Sequence, residues 1–175
     1  WSISLSANVT TIAAAGGNAT LSTSATRSRT WQWNGTGTTY TENASGSPTL
    51  SKVNGAASLS GSTVSYGNNT STSSRSSVFR ATIDSVTKDI TISQSAGAKQ
   101  YSAWSAWTVN ISNSGNVAAS GGSSNITTSA SRTRTWTWNG VSGSGGTETG
   151  TGTPTLSKVS GAGSFASNKV TYDNN

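Results

Sequence analysis

Arg27-Ser28-Arg29-Thr30-Trp31-Gln32-Trp33-Asn34-Gly35 returns as Arg132-Thr133-Arg134-Thr135-Trp136-Thr137-Trp138-Asn139-Gly140, at an offset of 105. Within each block Arg, Arg, Trp and Trp occupy every second position. That is the period of a β-strand, whose alternate side chains share a face. Asn-Gly then closes the block with a tight-turn signal. Later landmarks recur at an offset of 106: Pro48 and Pro154, Leu50 and Leu156, Val64 and Val170, Tyr66 and Tyr172, Asn69 and Asn175. A fixed repeat marks a modular array, and about 105 residues suit one compact domain.

Outward from this block, the chain reads as short strands separated by turns. Trp1, Ile3 and Leu5 alternate with serines, as do Trp107, Val109 and Ile111 with polar residues. Gly16-Gly17 and Gly121-Gly122 punctuate a turn. A second strand follows around Ala19, Leu21 and Thr23, and the Trp-x-Trp block is a third. Residues 36–47 and 141–153, rich in Gly, Thr and Ser, read as loops. Further strands are expected at Thr49–Val53, Ala57–Leu59 and Thr63–Tyr66, then around Phe79–Ile83 and Ile90–Gln94. About seven short strands per repeat, with no helical period, predict an all-β fold of tandem immunoglobulin-like antiparallel β-sandwich repeats. The domains divide as 1–98, a complete repeat; 99–106, an interdomain joint carrying Tyr101 and Trp104; and 107–175, a second repeat without the counterpart of residues 70–97.

Composition narrows the function classes. Charged residues are 9% of the chain, and the formal charge of +6 comes from 11 Lys and Arg against 5 Asp and Glu. These charges are dispersed singly, which argues against a nucleic-acid interface. No run of about 18 apolar residues suggests a membrane span. The chain has no His, Cys or Met. An enzyme would lack the usual general base and thiol nucleophile, and Glu42, Asp84, Asp89, Glu148 and Asp173 form no repeated carboxylate pair. No metal-ligand cluster and no cofactor are expected. The opening Trp1 and the missing Met suggest a piece of a longer polypeptide.

The stretch Asn68-Asn69-Thr-Ser-Thr-Ser-Ser-Arg75-Ser-Ser-Val78-Phe79-Arg80-Ala-Thr-Ile83, followed by Lys88-Asp-Ile90-Thr-Ile92-Ser-Gln94, resembles the C-terminal half of BACON-type domains. These are immunoglobulin-like modules of gut Bacteroidetes and their phages. The resemblance covers nearly all of residues 1–98 and the matching part of 107–175. The chain differs in its doubled Trp-x-Trp and longer Gly/Thr/Ser loop. The resemblance implies adhesion or spacing: a fibre or decoration module on a virion surface, with a bacterial cell-surface mucin-binding module as the alternative. Asp84-Ser85-Val86 looks like an O-glycosylation triplet of the same bacteria. The implied partners are neighbouring repeats or subunits of the same fibre, and surface glycans.

Three residue groups are candidate sites. Arg29, Trp31, Trp33 and Tyr40, with Arg134, Trp136 and Trp138, could form a stacking face for sugars. Arg27 and Arg132 extend the same alternation. The competing and favoured expectation places at least one Trp of each pair in the core, with Arg at the rim. The loops Thr36–Ser47 and Val141–Thr153 could bind ligands on a rigid scaffold, but their small residues favour a solvated connection. Arg75, grouped with Arg80 and Asp84, is expected to bond turn carbonyls or a nearby carboxylate. The truncated second repeat would expose strand edges. Its expected completion is by the chain's own continuation, with donor-strand exchange, as in a pilus-like polymer, as the alternative.

Overall fold

A computed structural model describes residues 1–35 and 37–174. Thr36, at the start of one expected loop, and Asn175, the repeat partner of Asn69, lie outside the described residues. The fold is all-β, with several antiparallel sheets. Two compact units form: Trp1–Gln100 with Thr137–Ser144, and Tyr101–Trp136 with Gly145–Asn175.

In the first unit, β1 (Ser2–Ala7), β3 (Gly17–Trp31), β4 (Tyr40–Gly46), β6 (Ser58–Ser60) and β7 (Thr63–Tyr66) form one sheet. A second sheet orders β2 (Thr11–Ile12), β9 (Val86–Gln94), β8 (Arg75–Ile83) and β5 (Thr49–Gly55). The short β2–β9 pair is parallel, an exception to the antiparallel expectation. The separate second and third strands of the sequence reading are one continuous strand, β3. Its first half pairs with β7, and its second half with β4. Residues 40–46, read as loop, are strand β4, paired from Ala25–Gly46 to Trp31–Tyr40. Backbone pairing along the β3 ladder holds this segment, which needs no apolar alternation to be a strand.

Both sheets feed one apolar cluster. Leu21, Val64 and Tyr66 come from the first, and Ile12, Phe79 and Ile92 from the second. Phe79, Val64 and Ile92 are fully buried, and each contributes roughly 1.5–3 kcal/mol through burial. The alternation in β8 predicted the inward placement of Phe79 and Ala81, both fully buried. On β3 burial alternates through Ala19, Leu21 and Ala25, and every residue beyond is exposed.

Polar groups complete this core. Tyr66 donates its hydroxyl to the carbonyl of Ile92 at 2.8 Å. Buried Asn69 donates through Nδ2 to the carbonyls of Ser73 and Ser95, at 2.9 and 2.8 Å. Gly97 is buried beside it and donates to the Ser71 carbonyl at 2.7 Å. A Cβ at Gly97 would collide with the backbone carbonyl of Asn69 and lie 2.9 Å from that of Ser71. The end of the first expected repeat is thus closely packed.

The second unit is built on β12 (Gly122–Trp138), apart from that strand's last two residues. β11 (Thr108–Asn113), β13 (Gly146–Gly152) and β15 (Lys169–Tyr172) pair with β12, and β14 (Ser164–Ala166) pairs with β15. Residues 146–152, also read as loop, are strand. The counterpart of β5 is not a strand at residues 155–159. In the first unit β5 pairs with β8, which has no counterpart among the described residues of the second repeat. Val109, Ile111 and Val159 are correspondingly exposed.

Candidate functional site

Each repeat seats its opening Trp in the same way. The Arg27 guanidinium lies 4.5 Å from the Trp1 ring centroid, and Arg132 lies 4.6 Å from that of Trp107. Both rings approach a glycine at the end of the partner strand. A Cβ at Gly46 would sit 2.8 Å from Trp1, and one at Gly152 would sit 3.1 Å from Trp107. Trp1 also donates Nε1–H to Asp84 Oδ2.

The next alternate position is a repeated ion pair. Arg29 bonds Glu42 at 2.7 Å, and Arg134 bonds Glu148 at 2.8 Å. Each carboxylate stands directly opposite its Arg across the ladder. Glu42 and Glu148 are therefore not isolated loop acids. The signal available in sequence was that Arg and Glu both recur between copies.

Trp31 stacks on Tyr40 at 4.7 Å between centroids, and Trp33 meets Trp31 edge-on at 5.8 Å. Trp31 is 41% exposed and Trp33 71%. The expectation that one Trp of this pair lies in the core is thereby corrected. The strand has run beyond the apolar cluster when it reaches Trp31, and Trp33 falls in a short 3-10 turn, Trp33–Gly35. Trp136 and Trp138 are half-buried. Arg29, Trp31 and Tyr40 thus share one surface, with Trp33 at its end. In the second copy Arg134 lies in the second unit with Trp136, and Trp138 in the segment assigned to the first.

The second unit adds rings that the first lacks. Arg132 lies 4.6 Å from Trp104 as well as from Trp107, and Arg134 lies 3.9 Å from Tyr101 and 4.5 Å from Trp104. The order Trp107, Arg132, Trp104, Arg134, Tyr101 forms an interleaved cation–π ladder. Arg132 Nε is buried in it without a hydrogen-bond partner. Serines fix the register. Ser102 N–H donates to the Thr135 carbonyl at 2.9 Å, and Thr135 N–H donates to Ser102 Oγ at 3.0 Å. Ser105 and Thr133 repeat this two-bond clip at 2.8 and 2.9 Å. The missed signal is the spacing of three in Tyr101-Ser102-Ala103-Trp104-Ser105-Ala106-Trp107.

Arg75 does bond turn carbonyls, those of Gly67 and Asn68, at 3.0 and 3.4 Å. Its expected group is otherwise rearranged, because Arg80 pairs with Asp89, across the hairpin, rather than with Asp84. The Arg80 guanidinium holds the Asp89 carboxyl below its ordinary value.

No protein-family model, curated protein or solved structure matches this chain. Among the described residues no cluster of three or more His, Cys, Asp or Glu could hold a metal ion. No helix among them is long and apolar enough to cross a membrane.

Proposed function

We propose that the chain is a structural segment of a longer extracellular fibre, built from immunoglobulin-like sandwich modules. Its task is to project and space what it carries. The sandwich reading is supported by the apolar cluster to which both sheets of the first unit contribute. The observation that carries the mechanical reading is the cation–π ladder. Tyr101 and Trp104, in what the sequence suggested was a joint, are clamped along β12 by two arginines and two serine clips. A segment held in this way is fixed along its own module, and rigid modules set reach and spacing. A virion surface is the favoured location, with a bacterial cell surface as the alternative, following the resemblance to BACON-type domains. Immunogold electron microscopy with antibodies to this chain tests it: gold on particle appendages supports the virion reading, and gold confined to bacterial envelopes sinks it.

The exposed group Trp31, Trp33 and Tyr40 favours a second reading, a glycan-stacking face. Mucin-glycan array binding that disappears in Trp33→Ala would support it.

A further inference from the structure

On β3 the strand partners change at Thr26. Residues Ala25 and Thr26 pair with β1 on one edge and β4 on the other. β4 continues to Trp31, but β1 stops at Ser2–Thr26. Among the described residues no strand takes over along 27–31 on the β1 side. On β12 the equivalent edge is occupied, because Ser105 and Ser102 clip Thr133 and Thr135 there. By the offset of 105, the matching backbone groups on β3 are those of Ser28 and Thr30. Their neighbouring side chains match too. Arg27 carries one ring, Trp1, where Arg132 carries two. The Arg29 side chain is 77% exposed, against 27% for Arg134 beneath Tyr101 and Trp104.

The turn beyond shows the same contrast. Asn139 belongs to the first unit, where its N–H donates to the Ala98 carbonyl at 2.8 Å and its Oδ1 accepts from Ala98 N–H at 2.8 Å. Its Nδ2 donates to Asn68 Oδ1 at 2.6 Å and to the Asn69 carbonyl at 2.9 Å. Asn34 adopts the same left-handed backbone, with φ 48° against 54°. It is exposed.

We propose that the β3 edge from Arg27 to Asn34 is a docking seat for an extended Tyr-x-x-Trp segment, that of a further repeat of this kind placed ahead of Trp1. Edge strands accept added strands through backbone bonds, with side chains supplying selectivity. Here the selectivity comes from two aromatic rings interleaving with Arg27 and Arg29 and an Asn-Asn corner receiving Asn34. A second copy's own segment 98–106 is already engaged on its own β12 and Asn139, which disfavours docking between separate copies. The proposal deepens the modular reading by naming the partner. It does not depend on virion or cell-surface location, so failure of the immunogold test leaves it standing.

The test places the sequence of residues 98–106 directly before Trp1 of the whole chain, reproducing the Ala106–Trp107 connection. Amide hydrogen exchange at Ser28 and Thr30 is expected to slow at least about tenfold relative to the unextended chain, with Thr133 and Thr135 as internal references. The same extension with Ser replacing both aromatics is expected to give no such protection. Unchanged exchange in the aromatic extension, or equal protection by both extensions, would overturn the proposal. Protection of the unextended chain by released mucin oligosaccharides would assign the face to glycans instead. Protection that rises with its own concentration would assign it to a second copy. Either result overturns the proposal.

Discussion

Arg75 and Gln94 are locked together: Arg75 Nε donates to Gln94 Oε1 at 2.7 Å, and Gln94 is fully buried. Gln94 Nε2 then donates to the carbonyls of Ala13, Ala14 and Gly67, at 3.1, 3.1 and 2.8 Å. One amide thereby ties the end of β9 to two turns. Gln94→Leu strips a donor from three carbonyls and an acceptor from Arg75. Leaving buried polar groups unsatisfied costs about 1–3 kcal/mol each where water cannot replace the partner. With partial rehydration, a loss of roughly 3 kcal/mol is expected, read as a lower urea midpoint for the first unit.

Phe79 offers the apolar counterpart. It is fully buried in the shared cluster, and Phe79→Ala should cost about 3–5 kcal/mol through lost burial and the cavity left behind. Val159, 95% exposed, supplies the contrast, because Val159→Ala should change stability by less than about 0.5 kcal/mol. Thermal or urea unfolding of both variants checks the pair. A first unit that tolerates Phe79→Ala would mean that the cluster is not its stabilising core.

The Arg80–Asp89 pair predicts a pH dependence of definite sign. Arg80 bonds both carboxylate oxygens, at 2.7 and 2.8 Å, and lowers the Asp89 pKa from 3.8. A carboxyl depressed in the fold stabilises it above the unfolded value and loses that contribution as pH falls through the folded one. The benefit is thus complete at neutral pH and declines below 3.8. Both side chains are substantially exposed, so the effect is modest and screened by salt. An NMR titration of the Asp89 carboxyl carbon should show the lowered midpoint, and it should move upward in Arg80→Gln.

The strands with one buried face were legible in sequence, because burying alternate residues of β1 and β8 writes period 2 directly. β4 and β13 were not, since their Gly, Thr and Glu residues bury no apolar stripe and only the ladder to β3 or β12 makes them strands. The Trp-x-Trp period was read correctly as strand, but the depth of the Trp residues was not. Periodicity tells which residues share a face and cannot tell where along a 15-residue strand the core stops. Gln94 and Asn69 escaped as buried keystones because polar side chains are mostly exposed, and their burial depends on carbonyls distant in sequence. Arg29 and Glu42 were each noticed, yet their pairing required the register that sets one opposite the other.

Trp104 should matter where Trp33 does not. Trp104 contacts two guanidiniums, Arg132 and Arg134, and lies close against Gly150, where an added Cβ would meet it at 3.3 Å. Cation–π contacts contribute about 0.5–1 kcal/mol each at exposed sites and more when desolvated. Removing the ring also opens the packing around Arg132, whose Nε is buried without a hydrogen-bond partner. Trp104→Ala is therefore expected to destabilise the second unit by about 2–3 kcal/mol. Trp33→Ala, at a side chain 71% exposed, should stay within about 0.5 kcal/mol of the parent. Amide exchange at Thr133 and Thr135 localises the effect, because loss of the ring should loosen the Ser105 and Ser102 clips beside it. If Trp104→Ala leaves those amides as protected as before, the serine clips alone hold the segment, and the cation–π ladder contributes little to its stiffness.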